Sequence, residues 1–94
     1  MTKVIMYTMK GCPYCDQLKE KLNESNIDFI EKDIDKNIKE YDKFSEAVKS
    51  EFLPAVLIGN KAFIPERSFH TIDQAKKVIK SYLLEQENRD HHLD

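Results

Sequence analysis

The apolar residues of this chain form two kinds of pattern, short continuous runs and longer stretches with a helical period. Short apolar runs bounded by turn residues are typical of buried strands. We therefore predict four strands, at residues 4–7, 27–30, 55–58 and 62–64. The last two runs flank Gly59-Asn60, a dipeptide suited to a tight turn, which predicts an antiparallel hairpin.

Three stretches with a helical period lie between and after these strands. The first begins with Pro13, which the first helical turn accommodates without losing a hydrogen bond, and ends near Ser25. The last begins after Thr71, a capping residue with Gln74 three positions further on. Apolar residues along one side of each helix predict its buried face. These residues are Cys15, Leu18 and Leu22 in the first helix, Tyr41, Phe44, Val48 and Phe52 in the second, and Ile72, Ala75, Ile79, Tyr82 and Leu83 in the third.

The resulting order of elements is β-α-β-α-β-β-α, which predicts an α/β fold with one mixed, four-stranded sheet and helices on both of its faces. The strand-helix-strand order favours parallel pairing of the first two strands. The chain has 94 residues, 40% of them apolar, which is enough for one core. We predict a single domain over residues 1–86 and a flexible tail over residues 87–94.

Fifteen basic and seventeen acidic side chains give a formal charge of -2, without a long run of either sign. We therefore expect no nucleic-acid partner, because binding to phosphates needs a basic surface. The apolar run near the N-terminus is too short for a signal peptide, and no segment has the length of a membrane span. We expect a cytoplasmic monomer whose partner is a protein or a small thiol.

The two cysteines of the chain lie in the sequence Cys12-Pro13-Tyr14-Cys15, at the predicted start of the first helix. This spacing suits dithiol chemistry, in which a thiolate attacks a disulfide and a second thiol one helical turn away displaces the product. We assign the attack to Cys12, because the free N–H groups and the positive dipole at a helix start stabilise a thiolate. Cys15 lies on the buried side and should keep its proton until it resolves the mixed disulfide.

Other interpretations of this region remain open. Cys-x-x-Cys is half of many zinc and iron–sulfur sites, so the chain could be a metal-binding module, chiefly with a cluster shared across a dimer. The chain has no second pair and no ligand spacing among its three histidines, so we assign no metal ligand. The cysteines could also be structural. Nearby, Lys10 could attract an anionic substrate and Tyr14 could contact a partner, or both could be ordinary surface residues.

The Cys-Pro-Tyr-Cys motif, the strand before it and the proline that leads into the hairpin together resemble a glutaredoxin of the thioredoxin fold, over residues 4–83. The resemblance implies that Cys12 attacks glutathione-mixed or protein disulfides, that Cys15 completes the dithiol route and that glutathione recycles the enzyme. It also implies a cis bond between Leu53 and Pro54, with the Leu53 backbone pairing with the bound substrate. Statistics alone favour a trans bond, because only about 5–6% of X–Pro bonds are cis.

The surroundings of the motif depart from the glutathione site of that family. Glu51 stands where many members carry a cation for the glycyl carboxylate, and the Gly-Gly pair before the last helix is absent. Side chains in place of these glycines should reshape the groove. Aligned from the strand, the glycine pair falls at Ile64-Pro65, whereas aligned from the Thr71 cap it falls at Phe69-His70 and leaves residues 66–68 in an added loop. On the second alignment, Thr71 and Asp73 match the residues that hold the γ-glutamyl end, and Arg67 could replace the missing cation.

The resemblance therefore implies a dithiol–disulfide oxidoreductase with no tightly bound cofactor and with glutathione as co-substrate. Its substrate-binding residues would be Lys10, Tyr14, Leu53, Pro54, Arg67, Thr71 and Asp73. The altered groove leaves a second electron source open, a thioredoxin-reductase-like flavoenzyme, as in the redoxins that serve ribonucleotide reductase. A binding domain that keeps the fold but reduces no disulfide is a further alternative.

Overall fold

The computed structural model describes the backbone of residues 3–92 and the side chains of residues 3–87. This part of the chain forms β1 (Val4–Thr8), α1 (Pro13–Glu24), β2 (Ile30–Asp33), α2 (Ile38–Val48), β3 (Ala55–Ile58), β4 (Lys61–Phe63) and α3 (Ile72–His92). The strands form one sheet in the order β2-β1-β3-β4. Strand β1 pairs parallel with β2 and antiparallel with β3, and β3 pairs antiparallel with β4. The predicted mixed sheet is confirmed.

The sheet separates two apolar clusters, because successive side chains of a strand point to opposite faces. In β1, Met6 faces the larger cluster and Tyr7 the smaller one, and both are buried. The larger cluster includes Leu18 of α1 and Ile79 of α3. In the smaller cluster, the Tyr7 ring packs against Phe44 of α2 with ring centroids 4.6 Å apart. Helices α1 and α3 therefore cover one face of the sheet, and α2 covers the other.

The second strand lies further along the chain than predicted, because β2 spans Ile30–Asp33 and does not begin at Ile27. The chain leaves α1 through Asn26, which has a φ of 57°. The N–H of Ile27 then bonds the Leu22 carbonyl at 2.9 Å and completes the helix end. Ile27 and Phe29 pack against the larger cluster from this connection. The apolar residues that suggested a strand therefore anchor the turn that leads into β2.

Helix α2 ends earlier than its apolar pattern suggests. Lys49 adopts left-handed backbone angles, with a φ of 56° and a ψ of 47°, and its N–H bonds the Ser45 carbonyl. This closes the helix after Val48. Phe52 lies outside the helix and is 62% exposed, so the prediction that it belongs to the buried face is wrong. The left-handed turn at Lys49 sets this end, whereas Pro54 disfavours helical backbone only in Leu53, directly before it.

The hairpin and the cap of the last helix form as predicted. Gly59 adopts a φ of 60° in the turn, and β3 and β4 pair directly on both sides of it. Strand β4 starts and ends one residue earlier than the apolar run indicates. The Thr71 hydroxyl accepts the Gln74 N–H at 3.1 Å, and the Gln74 side chain accepts the Thr71 N–H at 3.3 Å. These reciprocal bonds form a capping box that starts α3.

Helix α3 is longer than predicted. Its backbone is helical from Ile72 to His92, which includes most of the residues assigned to a tail. Glu85, Gln86 and Glu87 are intrinsically good helix formers, so the helix continues beyond its last apolar position. Although α3 has 21 residues, neither it nor any other helix in the described part of the chain is apolar enough to cross a membrane.

Candidate active site

Cys12 lies at the N-terminal end of α1, where the chain turns from β1 into the helix. Gly11 permits this turn with a φ of 80°, and the Cys12 N–H bonds the Met9 carbonyl at 3.2 Å. Cys12 is the N-cap residue, with extended backbone, and its Sγ accepts the Cys15 N–H at 3.2 Å. Pro13 occupies the first turn of the helix. The predicted position of Cys12 at a helix start is confirmed, and a thiolate there gains a hydrogen bond and the favourable helix dipole.

Cys15 lies one turn into α1 and is buried, with only 1% of its surface exposed. Burial, together with the hydrogen bond to Cys12, raises the pKa of the Cys15 thiol well above its ordinary value. Both cysteines are free thiols, so the structure shows the dithiol form. Cys12 is also largely buried, but 9% of its surface is exposed, so it is the more accessible of the two residues to an incoming disulfide. The geometry therefore fits one attacking sulfur and one resolving sulfur.

A groove of about 290 Å³ lies beside the cysteine motif. Tyr14 lines it from between the two cysteines, and Thr71 lines it from the cap of α3. Leu53 and Pro54 also line it, and the bond between them is cis, as the resemblance implies and against the statistical expectation. The structure thus brings four of the seven predicted substrate-binding residues around one groove.

Lys10 and Asp73, which were also predicted to bind substrate, do not line this groove. Lys10 is exposed in the loop between β1 and α1. The Asp73 carboxylate is exposed and lies 3.4 Å from the Lys21 ammonium, which belongs to α1. Asp73 therefore bridges two helices at the surface, and its predicted contact with a γ-glutamyl group stays a prediction.

Residues 64–70 form most of the connection between β4 and α3. Both of its ends are fixed, because Ile64 is buried in the smaller cluster and Phe69 in the larger one. Within the loop, the Glu66 N–H bonds the Phe69 carbonyl at 2.8 Å, and the Ser68 hydroxyl accepts the Ile64 N–H at 3.0 Å. The loop is therefore an ordered wall of the groove.

Arg67 ties the tip of this loop to α2. Its guanidinium donates hydrogen bonds to the carbonyls of Val48 and Lys49, at the helix end where carbonyls lack intrahelical partners. Arg67 does not line the groove beside the cysteines. Arg67 lines instead the neighbouring groove at the end of α2, and its predicted role as a substitute cation for the substrate stays a prediction.

Six further residues line the groove, and the sequence pattern assigned none of them to substrate binding: Phe52, Pro65, Glu66, Phe69, His70 and Ile72. Phe52 stands directly before the cis dipeptide, and the nearby Pro54 was the available signal that helical backbone ends before it. The His70 Nδ1 lies 3.2 Å from Glu66 Oε2. No sequence signal identifies His70, because its position depends on how residues 64–70 fold.

Two polar networks hold the C-terminal end of β1, from which the cysteine loop departs. The buried Thr8 hydroxyl donates to Glu31 Oε2 at 2.8 Å, and Lys19 Nζ lies 3.0 Å from the same oxygen. The contact with Lys19, and then that with Thr8, lowers the pKa of the Glu31 carboxyl. On the other face of the sheet, the Tyr7 hydroxyl donates to Glu40 at 2.8 Å. The end of β1 is thereby fixed to α1, β2 and α2.

The described residues contain no group of three or more His, Cys, Asp and Glu side chains placed to hold a metal ion. A cluster shared between two copies of the chain would need cysteines from both copies, and it stays a hypothesis. The chemistry that the cysteine pair can perform within one copy is two-electron exchange between a dithiol and a disulfide.

The fold and the cysteine pair define a dithiol protein of the thioredoxin fold. The family profile for glutaredoxin matches residues 4–64, which is more than half of the chain and includes both cysteines and the cis proline. The chain therefore belongs to the glutaredoxin family.

Individual relatives are distant from this chain. The Gene 56 protein of Mycobacterium phage L5 is 33% identical over 54 residues, which cover 57% of this chain and 52% of that protein. The chain thus spans about half the length of this relative. A glutaredoxin from Archaeoglobus fulgidus superposes with a TM-score of 0.64 at 27% identity, covering 84% of this chain and 87% of the other.

A further similar structure is NrdH-redoxin from Escherichia coli, a glutaredoxin-like protein with a thioredoxin-like activity profile. It superposes with a TM-score of 0.60 at 22% identity, covering 77% of this chain and 92% of the other. At this level of identity the similarity shows the shared fold alone.

Proposed function

We propose that this chain is a dithiol–disulfide oxidoreductase that acts through Cys12 and Cys15. Its substrates are disulfides within proteins and mixed disulfides between a protein and glutathione. The arrangement of the two sulfurs carries this proposal. Cys12 Sγ caps α1 at 3.2 Å from the Cys15 N–H, and Cys15 is buried one turn further along. Membership of the glutaredoxin family supports the same class of reaction.

In the first step the Cys12 thiolate attacks one sulfur of the client disulfide. An S–S bond forms between Cys12 and that sulfur, and the client's own S–S bond breaks, so that its second sulfur leaves as a thiolate and takes up a proton from water. Cys15 then loses its proton and attacks the Cys12 sulfur, which releases the first client sulfur. The cysteine pair ends as an intramolecular disulfide, and the client has gained two electrons and two protons.

Two sources of electrons fit this reaction, glutathione as co-substrate and a flavoenzyme of the thioredoxin-reductase type. Charge disfavours glutathione, because Glu51 stands where many family members carry a cation and the Arg67 guanidinium is bonded to carbonyls of α2. Glutathione carries two carboxylates, which such a surface does not attract. As a second candidate function, the chain is a cytoplasmic redoxin that a protein reductase recycles and that passes electrons to a client such as ribonucleotide reductase.

The test measures reduction of bis(2-hydroxyethyl) disulfide by the purified chain with three reductants in turn: glutathione, thioredoxin reductase with NADPH, and dithiothreitol. Turnover above the rate without the chain, with any of the three, supports disulfide reduction by the chain, and the absence of such turnover with all three contradicts it. Turnover with thioredoxin reductase and not with glutathione supports the second candidate, whereas turnover with glutathione alone rejects it. Stoichiometric iron or zinc in the purified chain would favour the metal-binding alternative.

A further inference from the structure

We propose that the substrate groove continues past Phe52 to the C-terminal end of α2, and that this continuation binds a segment of a protein client in which apolar and basic residues flank the reactive cysteine. This inference rests on the proposed function, because it names the class of protein disulfide that the cysteine pair reduces. The occupant is an extended client segment with at least one apolar and one basic side chain.

The first step of the argument is that two grooves are continuous. A second groove of about 580 Å³ lies between the C-terminal end of α2 and the loop of residues 64–70. Phe52, Pro65 and Glu66 line both this groove and the one beside the cysteines. A segment that places its cysteine near Cys12 can therefore extend across Phe52 into the second groove.

The second step concerns the exposed aromatic side chains that line the first groove. Phe52 is 62% exposed and Tyr14 is 61% exposed, and both line the groove beside the cysteines. The Phe52 N–H bonds the Ser50 hydroxyl at 3.2 Å, which holds the segment that presents this ring. Exposed aromatic residues beside a reactive centre are typical anchors of protein partners, because covering them removes a large apolar area from water. The client should therefore place an apolar side chain against one of these rings.

The third step concerns charge. Three exposed carboxylates line the second groove, those of Glu46, Glu51 and Glu66, and two cations, Lys49 and Arg67, lie among them. The Arg67 guanidinium is bonded to carbonyls at the end of α2, where the helix dipole amounts to roughly half a negative charge. The surface that remains is negative, although His70 contacts Glu66 at its edge. A basic client residue complements this surface, whereas an acidic one is repelled.

The experiment compares two synthetic peptides, each joined by a disulfide to the same small thiol. Both carry a leucine beside the cysteine, and one has two lysines beyond it where the other has two glutamates. Recycling with dithiothreitol gives kcat and KM for each peptide with the wild-type chain. We expect a KM lower for the lysine peptide by about fivefold, and a smaller difference at high salt, because exposed charges are screened.

Two variants separate the apolar contribution from the charged one. Phe52→Ser should raise KM for both peptides, whereas Glu51→Lys should abolish or reverse the preference for the lysine peptide. The matched control is Glu85→Lys, which makes the same charge change at an exposed position of α3 about 20 Å along the helix from Thr71, at about 1.5 Å per residue. This control should keep the wild-type preference.

The outcomes distinguish this inference from the proposed function. Two results would overturn the proposed continuation of the groove while leaving the dithiol reaction intact. One is equal KM values for the two peptides, and the other is the same change of peptide preference in Glu51→Lys and Glu85→Lys. A wild-type chain that reduces neither peptide nor bis(2-hydroxyethyl) disulfide would instead contradict the proposed function itself.

Discussion

The two sides of the substrate groove are built in different ways. On the cysteine side, Cys12 and Cys15 are placed by contacts within a few residues, namely the helix start and the bond from the Cys15 N–H to Cys12 Sγ. On the loop side, formed by residues 64–70, Arg67 contacts carbonyls 18 and 19 positions earlier in the chain. The two sulfurs are thus positioned relative to each other by local contacts, whereas the loop is joined to α2 by contacts between distant segments. Changes on the loop side should alter the choice of client more than the chemistry.

The largest expected effect lies on the cysteine side. Cys12→Ser should reduce turnover of every disulfide to the uncatalysed rate, because the hydroxyl that replaces the thiol does not attack disulfide sulfur at neutral pH. Initial rates with bis(2-hydroxyethyl) disulfide measure this, and an unchanged thermal unfolding curve serves as the control for folding. If Cys12→Ser retained more activity than the variant lacking both thiols, Cys12 could not be the attacking residue.

Cys15→Ser should have a smaller and more selective effect. The variant can still form a mixed disulfide on Cys12 but cannot resolve it internally, so reduction of protein disulfides should be lost while some reduction of glutathionylated substrates by glutathione remains. Mass spectrometry of the variant mixed with a protein disulfide should find the client trapped on Cys12. Equal losses in both cysteine variants would contradict the assigned order of attack and resolution.

On the loop side, Arg67→Ala should weaken recognition more than chemistry. Without the guanidinium, residues 64–70 lose their hydrogen bonds to the end of α2. KM for a peptide disulfide should therefore rise by several-fold, which is about the effect of one lost charge-assisted hydrogen bond. The value of kcat should fall less. Kinetics of the lysine peptide measure this split.

Arg67→Lys is the matched variant for this prediction. It keeps the positive charge but lacks the planar fork that reaches two carbonyls. If Arg67→Lys had the wild-type KM, the positive charge of residue 67, and not its pair of hydrogen bonds to α2, would determine client binding. If Arg67→Ala lowered kcat as much as it raised KM, the separation of the two sides would be wrong.

The sequence predicts the cysteine side almost completely and the loop side poorly, for the same physical reason. Pro13 and the period of apolar residues in α1 are local signals, and they place the helix start and the buried Cys15 correctly. The exposure of Phe52 depends on where α2 ends, and the position of Arg67 depends on contacts with that helix end. Periodicity cannot report such contacts, because they join segments that are distant along the chain.

The same reasoning explains the displaced second strand and the cis bond. The apolar residues Ile27 and Phe29 look like a strand, but tertiary packing uses them to anchor the turn after α1. The cis bond before Pro54 follows from the family resemblance, whereas bond statistics alone favour the opposite isomer. Local patterns therefore identify the elements, and their ends depend on packing.

The smallest expected effect concerns Glu31, whose bonds with Lys19 and Thr8 support the cysteine side of the groove. These bonds lower the pKa of Glu31 in the folded chain, so their contribution to stability is present above the ordinary glutamate pKa of about 4.3 and is lost as pH falls through the lowered value. Because the pair is partly exposed, the contribution should be below about 1 kcal/mol. Glu31→Gln should therefore lower the free energy of unfolding at pH 7, and the difference from wild type should shrink toward pH 3.

Urea unfolding of both proteins across this pH range measures the difference, with the exposed Glu85→Gln as the matched control. A difference that stayed constant with pH would mean that the charge of Glu31 contributes nothing to the end of β1. Glu31→Gln should also leave the ratio of KM values for the lysine and glutamate peptides unchanged. The residue supports the strand that carries the cysteine loop, whereas that ratio depends on the opposite side of the groove.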